Sequence, residues 1–174
     1  RYNPITKVAT AYRHNPDDKS SISSNSLFNI CEDSYGYLWI GSIASGLIQF
    51  DREKKSFINF VNDPADKKSI GSNSVWCVTE DSKKNIWIGT WGGGINKFNR
   101  GANSFTRFTV DNGLPGNVVY GIIPDQEDNL WLSSNKGLSK FNPSNGIIRN
   151  FDRSNGLLIN DFSAGALFKS KDGR

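Results

Sequence analysis

The residues that could do chemistry stand in a few places. The run NIWIGTWGGGINKF, residues 85–98, crowds glycines together as a phosphate-binding loop does, with two tryptophans among them. Such a loop needs a strand before it and a helix after it, so that backbone amides and the helix N-terminus face the anion. Here a second strand follows, no Gly-Lys-Ser/Thr is present, and the GxGxxG spacing fails. Asp33, Asp81 and Asp125 each precede a turn, where an aspartate can accept backbone N–H bonds. Acid–base catalysis would need a pair of carboxylates converging from separate parts of the chain. His14, the single histidine, sits in the polar stretch RHNPDDKSS with no nucleophile arrangement beside it. Cys31 and Cys77 form no CxxC and no Cys/His cluster, so they are expected to be core thiols. No catalytic residue, metal site or cofactor is expected.

The elements that must position these residues are repeats. NSLFNICEDSYGYLWIGS (25–42) recurs as NSVWCVTEDSKKNIWIGT (73–90) and as NVVYGIIPDQEDNLWLSS (117–134), with Trp39, Trp87 and Trp131 fixing the register 48 and 44 residues apart. Each copy continues through Gly46, Gly94 or Gly137 to Phe50, Phe98 or Phe141, and a further aromatic follows ten residues on, at Phe60, Phe108 or Phe151. Tyr2 and Tyr12 have the same spacing. Within a copy the signals are short apolar runs rich in Ile, Val, Phe, Trp and Thr, separated by Gly, Asn, Asp and Ser clusters. In the central copy strands are expected near 74–80, 85–90, 94–99 and 104–109, each joined to the next by a hairpin. Four antiparallel strands in 44 to 48 residues make one propeller blade.

The chain is therefore expected to be all-β, a β-propeller fragment of four-stranded antiparallel blades. Residues 1–14 are read as the end of a preceding blade, 25–61, 73–110 and 117–152 as blades, and 161–174 as the start of a further one. Strict alternation puts Val75, Cys77 and Thr79 on one face and Trp76, Val78 and Glu80 on the other. With 36% hydrophobic residues the chain can bury a real core. A net charge of +4 without a block of like charge does not call for nucleic acid. No apolar run is long enough for a membrane span, and no membrane contact is expected. The chain contains no Met and begins Arg1-Tyr2-Asn3-Pro4, so it is read as an excerpt of a longer protein.

The repeated stretch NSVWCVTEDSKKNIWIGTWGGGI resembles the two-component regulator propeller repeat, and the likeness covers essentially the whole chain. The third copy departs at Ser133, where the others have Gly41 and Gly89, and at Pro124, where they have Glu32 and Glu80. The run from Asp33 to Trp39 also resembles the Asp box of sialidase propellers, one residue too long. Members of the regulator family are periplasmic sensor regions of hybrid two-component systems in Bacteroides-type bacteria, with two seven-bladed propellers, a small β-sandwich, a membrane span and a cytoplasmic histidine kinase. The resemblance implies a periplasmic, non-catalytic segment that senses an oligosaccharide. The ending NGLLINDFSAGALFKSKDG is similar to the last blade of a second propeller.

Within that frame Trp91 stands where the sister copies have Ile43 and Asn135, so the repeat does not account for it. At a turn tip beside Arg13, Lys19, Lys67 and Lys68, it could stack on a sugar ring while the cations meet sulfate or carboxylate groups. The alternative is that it packs on a neighbouring blade or connection. Asn25, Asn73 and Asn117 recur before each first strand and share that face; they are candidates for ligand contact or for bonds to local backbone. Phe28, Trp76 and Tyr120 occupy one repeat position and are expected to be core. Trp39, Trp87, Trp131, Asp33, Asp81 and Gly94 are expected to be structural anchors. Besides an oligosaccharide, neutral or anionic, the expected partners are the remaining blades and, through exposed blade edges, a second copy of the chain. A propeller lyase or glycosidase and a purely structural scaffold are the competing functions.

Overall fold

Turn residues cut the chain into short strands, and a computed structural model describes them for residues 1–165 and 167–170. A small hairpin, β1 (Tyr2–Asn3) with β2 (Val8–Ala9), comes first. The first blade follows, with β3 (Leu27–Glu32), β4 (Leu38–Ser42), β5 (Leu47–Asp51) and β6 (Ser56–Phe60). The second has β7 (Val75–Glu80), β8 (Ile86–Thr90), β9 (Ile95–Asn99) and β10 (Ser104–Phe108). The third has β11 (Val119–Pro124), β12 (Leu130–Ser134), β13 (Gly137–Phe141) and β14 (Ile148–Phe151). Every pairing is antiparallel, and each sheet keeps its strands in chain order. Alternation in the chain thus becomes all-β blades, as expected.

The hairpin between the second and third strands explains its glycine. Gly46, Gly94 and Gly137 have φ of 80°, 66° and 110°, a backbone region that side chains rarely adopt. A Cβ at Gly94 would also lie 2.2 Å from the Phe108 carbonyl oxygen. The hydroxyls of Ser42, Thr90 and Ser134 donate to the carbonyls of these same glycines at 2.8–2.9 Å and close the turn.

Blades pack face to face through the repeated aromatics. Trp39 is fully buried and meets Phe98 of the next blade at 4.9 Å between ring centres, and Trp87 meets Phe141 at 5.8 Å. Trp131 is half-buried and stacks on Phe151. Phe60 reaches Phe98 and Phe105 just as Tyr12 reaches Phe50 and Phe57, so Tyr12 meets the first blade as Phe60 meets the second. Burying one such ring contributes about 2–3 kcal/mol.

The face assignment of the first strands needs correction. In each blade the ladder slips by one residue: Val75 pairs with Thr90 but Cys77 with Gly89, so Trp76 is left over, and Phe28 and Tyr120 are left over in the same way. A β-bulge of this kind changes which face the following residues use. Val75 accordingly packs with Val78 toward the first blade, whereas Cys77 packs toward the third. Alternation counted through the bulge had placed Val75 and Cys77 together.

The bulge also explains the third copy's departure at Ser133. Cys77 lies opposite Gly89, Asn29 opposite Gly41, and Gly121 opposite Ser133. Each cross-strand pair holds one glycine and one larger residue, and in the third blade the two have changed places. Cys77 is buried, and burial pushes its thiol up to about 12; Cys31 is half-buried and also raised, chiefly by burial. We expect Cys77 to stay unmodified by iodoacetamide near pH 8 until the protein is unfolded, as read by mass spectrometry of the labelled peptide.

Beyond β14, described residues 161–165 and 167–170 contain no strand, and the rest of the expected further strand, 166 and 171–174, lies outside the described residues. Leu167 nonetheless packs on Gly121, and the Lys169 ammonium donates to the Pro124 carbonyl at 2.6 Å, so this segment runs along β11.

Candidate functional site

The residues freed by the three bulges form one surface. Phe28 meets Trp76 at 4.5 Å between ring centres, Trp76 meets Tyr120 at 5.7 Å, and Trp91 lies over both, at 5.5 Å from Trp76 and 6.1 Å from Tyr120. Phe28 is 43% exposed and Trp91 50%, while Trp76 and Tyr120 are half-buried. Core packing, expected for Phe28, Trp76 and Tyr120, is not what the structure shows. They form a row of rings across three innermost strands, and Trp91 joins it from the turn of the second blade. The signal in the sequence was an aromatic residue at the same repeat position in all three copies.

Backbone bonds hold Trp91 in place. Its amide donates to the Ser74 carbonyl at 2.9 Å, and it forms an isolated bridge with Val118, so the tip spans the starts of β7 and β11. The amides of Gly92 and Gly94 both donate to the Asn117 carbonyl at 2.9 Å. The glycine-rich run therefore spends these amides on the protein itself and is a hairpin turn. At the third-blade end of the row, burial and the nearby Asp161 carboxylate raise the Tyr120 phenol.

The recurrent asparagines join blade to blade. The side-chain oxygens of Asn25, Asn73 and Asn117 accept from the amides of His14, Asn62 and Val110 at 2.7–2.9 Å. The Asn73 carbonyl in turn accepts from Gly46 of the preceding blade. Asn160 repeats both bonds, with the Arg153 amide and with Gly137. That fourth member had a legible cue, since NGLPGNVV (112–119) returns as NGLLINDF (155–162), in each case after a short helical turn capped by Thr109 or Asp152.

Arg13, Lys19, Lys67 and Lys68, the cations expected beside Trp91, lie in the blade-to-blade connections. The Lys68 carbonyl accepts from Phe105 in the outermost strand β10, and Arg107 of that strand holds the same connection through Ser69 and Asp66, which puts Lys67 and Lys68 at the outer side of the blade. Arg13 and Lys19 are exposed on the corresponding connection of the first blade, where Lys19 shares a hollow with Ile48, Phe57 and Asn59. His14 contacts the Ile22 carbonyl through Nδ1 at 2.9 Å.

The aspartates anchor the opposite face. Asp33 accepts from the Tyr35 and Tyr37 amides and, at 2.7 Å, from the Trp39 indole; Asp81 and Asp125 hold Trp87 and Trp131 at 2.8 and 3.2 Å. The six-residue spacing from aspartate to tryptophan is this indole bond, a partnership not anticipated from the turn alone. Arg100 of the second blade reaches across to Asp33 at 2.8 Å. Glu80 likewise accepts from the Ser34 amide and hydroxyl of the first blade. Pro124 cannot do this in the third blade, where Asp128 pairs with Lys83 at 3.5 Å instead.

Comparison with known proteins agrees with this geometry. Residues 21–44, 69–92 and 113–136 each match the family described as two component regulator propeller. Over 52 residues, 30% of this chain and 4% of the relative, the sequence is 40% identical to histidine kinase P4 of Formosa agariphila. The extracellular domains of two hybrid two-component systems of Bacteroides thetaiotaomicron, BT4673 and BT3049, superpose with TM-scores of 0.75 and 0.72 at 27% and 25% identity. Those superpositions cover 91% and 85% of this chain but 22% and 20% of the domains. The chain thus spans about a fifth of those domains and a small part of the kinase. A lyase for virginiamycin B from Staphylococcus aureus superposes at 0.58 with 17% identity, which shows the fold alone. Three stretches of this chain match the two component regulator propeller family in one register, and each folds into the same bulged, four-stranded blade.

Proposed function

We propose that this chain is a non-catalytic, ligand-sensing segment of a two-component sensor on the periplasmic side of the membrane, and that it takes an oligosaccharide on the aromatic row and signals to a cytoplasmic histidine kinase. The row itself carries the proposal. Four partly open rings on one face offer flat apolar surfaces to the C–H faces of sugars. The wider setting comes from the relatives, which are named as extracellular domains of two-component systems and a histidine kinase. The recurrent carboxylates support a non-catalytic role, because indoles and backbone amides already occupy them. With Lys67 and Lys68 on the outer side, a neutral chain is favoured over an anionic one. Signalling requires the ligand to bind one arrangement of the propeller better than another, and a tenfold preference supplies about 1.4 kcal/mol.

The test is calorimetric titration of the intact sensor domain with a panel of glycan oligosaccharides, followed in parallel by tryptophan fluorescence. Trp76→Ala is expected to weaken binding by about tenfold to a hundredfold, and Trp91→Ala by about tenfold. Absence of both heat and fluorescence change across the panel would sink the sensing role. Binding that survives Trp76→Ala and Trp91→Ala unchanged would move it elsewhere.

A further inference from the structure

A second hollow lies on the opposite face from the aromatic row, where the first and second blades meet. It has a volume of about 320 Å³ and is walled by Tyr35, Tyr37, Gln49, Asp51, Arg100 and Asn103. An adjoining hollow of about 310 Å³ shares Tyr35, Tyr37 and Asp51, so the two form one groove. These walls are not demanded by the repeat. At the junction of the second and third blades the positions of Tyr35, Tyr37, Gln49, Arg100 and Asn103 are held by Lys83, Asn85, Lys97, Pro143 and Gly146. There Lys83 is paired with Asp128, and Lys97 lies over Trp87. At the first junction Arg100 also ties the blades together through Asp33 and lies over the Tyr35 ring at 4.7 Å, whereas the polar ends of Tyr37, Gln49 and Asn103 serve no such contact.

The groove is polar, and each of its cationic side chains is already paired with a carboxylate, Arg52 with Glu32 at 2.8 Å among them, although the Arg100 Nε has no hydrogen-bond partner among the described residues. Arg100 is engaged by Asp33 at 2.8 Å and Glu80 at 3.5 Å, and Lys54 by Asp51 at 3.4 Å. An anion would have to compete with these carboxylates. Among the described residues nothing hydrogen-bonds the side-chain amides of Gln49 and Asn103 or the phenols of Tyr35 and Tyr37. Amides and phenols both donate and accept, which suits vicinal hydroxyl groups. A pocket near the lower end of small-molecule size leaves room for one sugar ring. We propose that this groove is a second binding site, separate from the row, for a neutral polyhydroxylated molecule of monosaccharide size.

The test is a titration of the ¹⁵N-labelled chain with glucose, galactose, mannose, xylose and myo-inositol, followed by amide chemical shifts. Shifts are expected at Tyr35, Gln49 and Asn103 and not at Trp76 or Trp91. Tyr35→Ala removes a largely exposed ring, and Asn103→Gly keeps a backbone whose φ is +47° while deleting the amide; each is expected to weaken groove binding by about tenfold or more. Trp91→Ala is expected to leave it unchanged, so failure at the groove and failure at the row are read separately. Absence of groove shifts with all five probes, or affinity unchanged in both groove variants, would overturn the proposal.

Discussion

Replacing Asp33 with alanine is expected to destabilise the protein by about 3–5 kcal/mol, the range found when one partner of a buried ion pair is removed. Asp33 is only 4% exposed and joins two blades. Its loss strips partners from the Trp39 indole at 2.7 Å, the Tyr35 and Tyr37 amides at 3.0 and 2.9 Å, and the Arg100 guanidinium at 2.8 Å. Asp33→Asn keeps an acceptor but not the charge, and about half of the loss is expected. Urea unfolding measures both; a midpoint unchanged in Asp33→Ala would contradict this account.

The same carboxyl predicts acid sensitivity. Burial alone would raise its pKa, but the indole, the guanidinium and the two amides outweigh burial and hold it below the ordinary range. Asp125 is likewise held down to about 2 against burial, by Lys140 and Asn129. A folded-state pKa below the unfolded value of about 3.9 contributes stability that is complete above that pH and is lost as the pH falls through the folded value. Stability should therefore decline between about pH 4 and pH 2, and less steeply in Asp33→Ala.

Gly89→Ser is expected to cost about 3 kcal/mol. A Cβ there would lie 2.5 Å from the Cys77 sulfur and 2.9 Å from Val119 of the next blade. The third blade tolerates serine at this position because Gly121 stands opposite, although the Ser133 hydroxyl is buried without a partner. Adding Cys77→Gly should restore about half of the loss, with Val119 accounting for the remainder. Strict additivity in the double-mutant cycle would show that the exchanged pair is coincidental.

The fold was legible because self-comparison replaces a doubtful local reading with three parallel ones. Trp39, Trp87 and Trp131 set a register in which each glycine turn and aspartate could be checked against two sisters. Gly94 was separable from its neighbouring glycines for that reason. The row was not legible, since an inserted residue leaves no mark in a run such as VWCVTE: alternation looks unbroken while the ladder slips. The cations failed for a different reason. Proximity along the chain placed Lys67 near Asn73, but the connection bends back over β10 before it reaches the inner strand.

The bulge has a consequence for how such a protein can diversify. Residues before and after it are committed to one neighbour or the other, so exchanging them disturbs the assembly. The leftover residue lies outside both cores and meets the other rings of the row, and it has already been filled by Phe28, Trp76 and Tyr120 without altering the blade around it. Each repeat thus carries one interchangeable letter, and a closed ring of them would spell out a recognition surface that can be rewritten one character at a time.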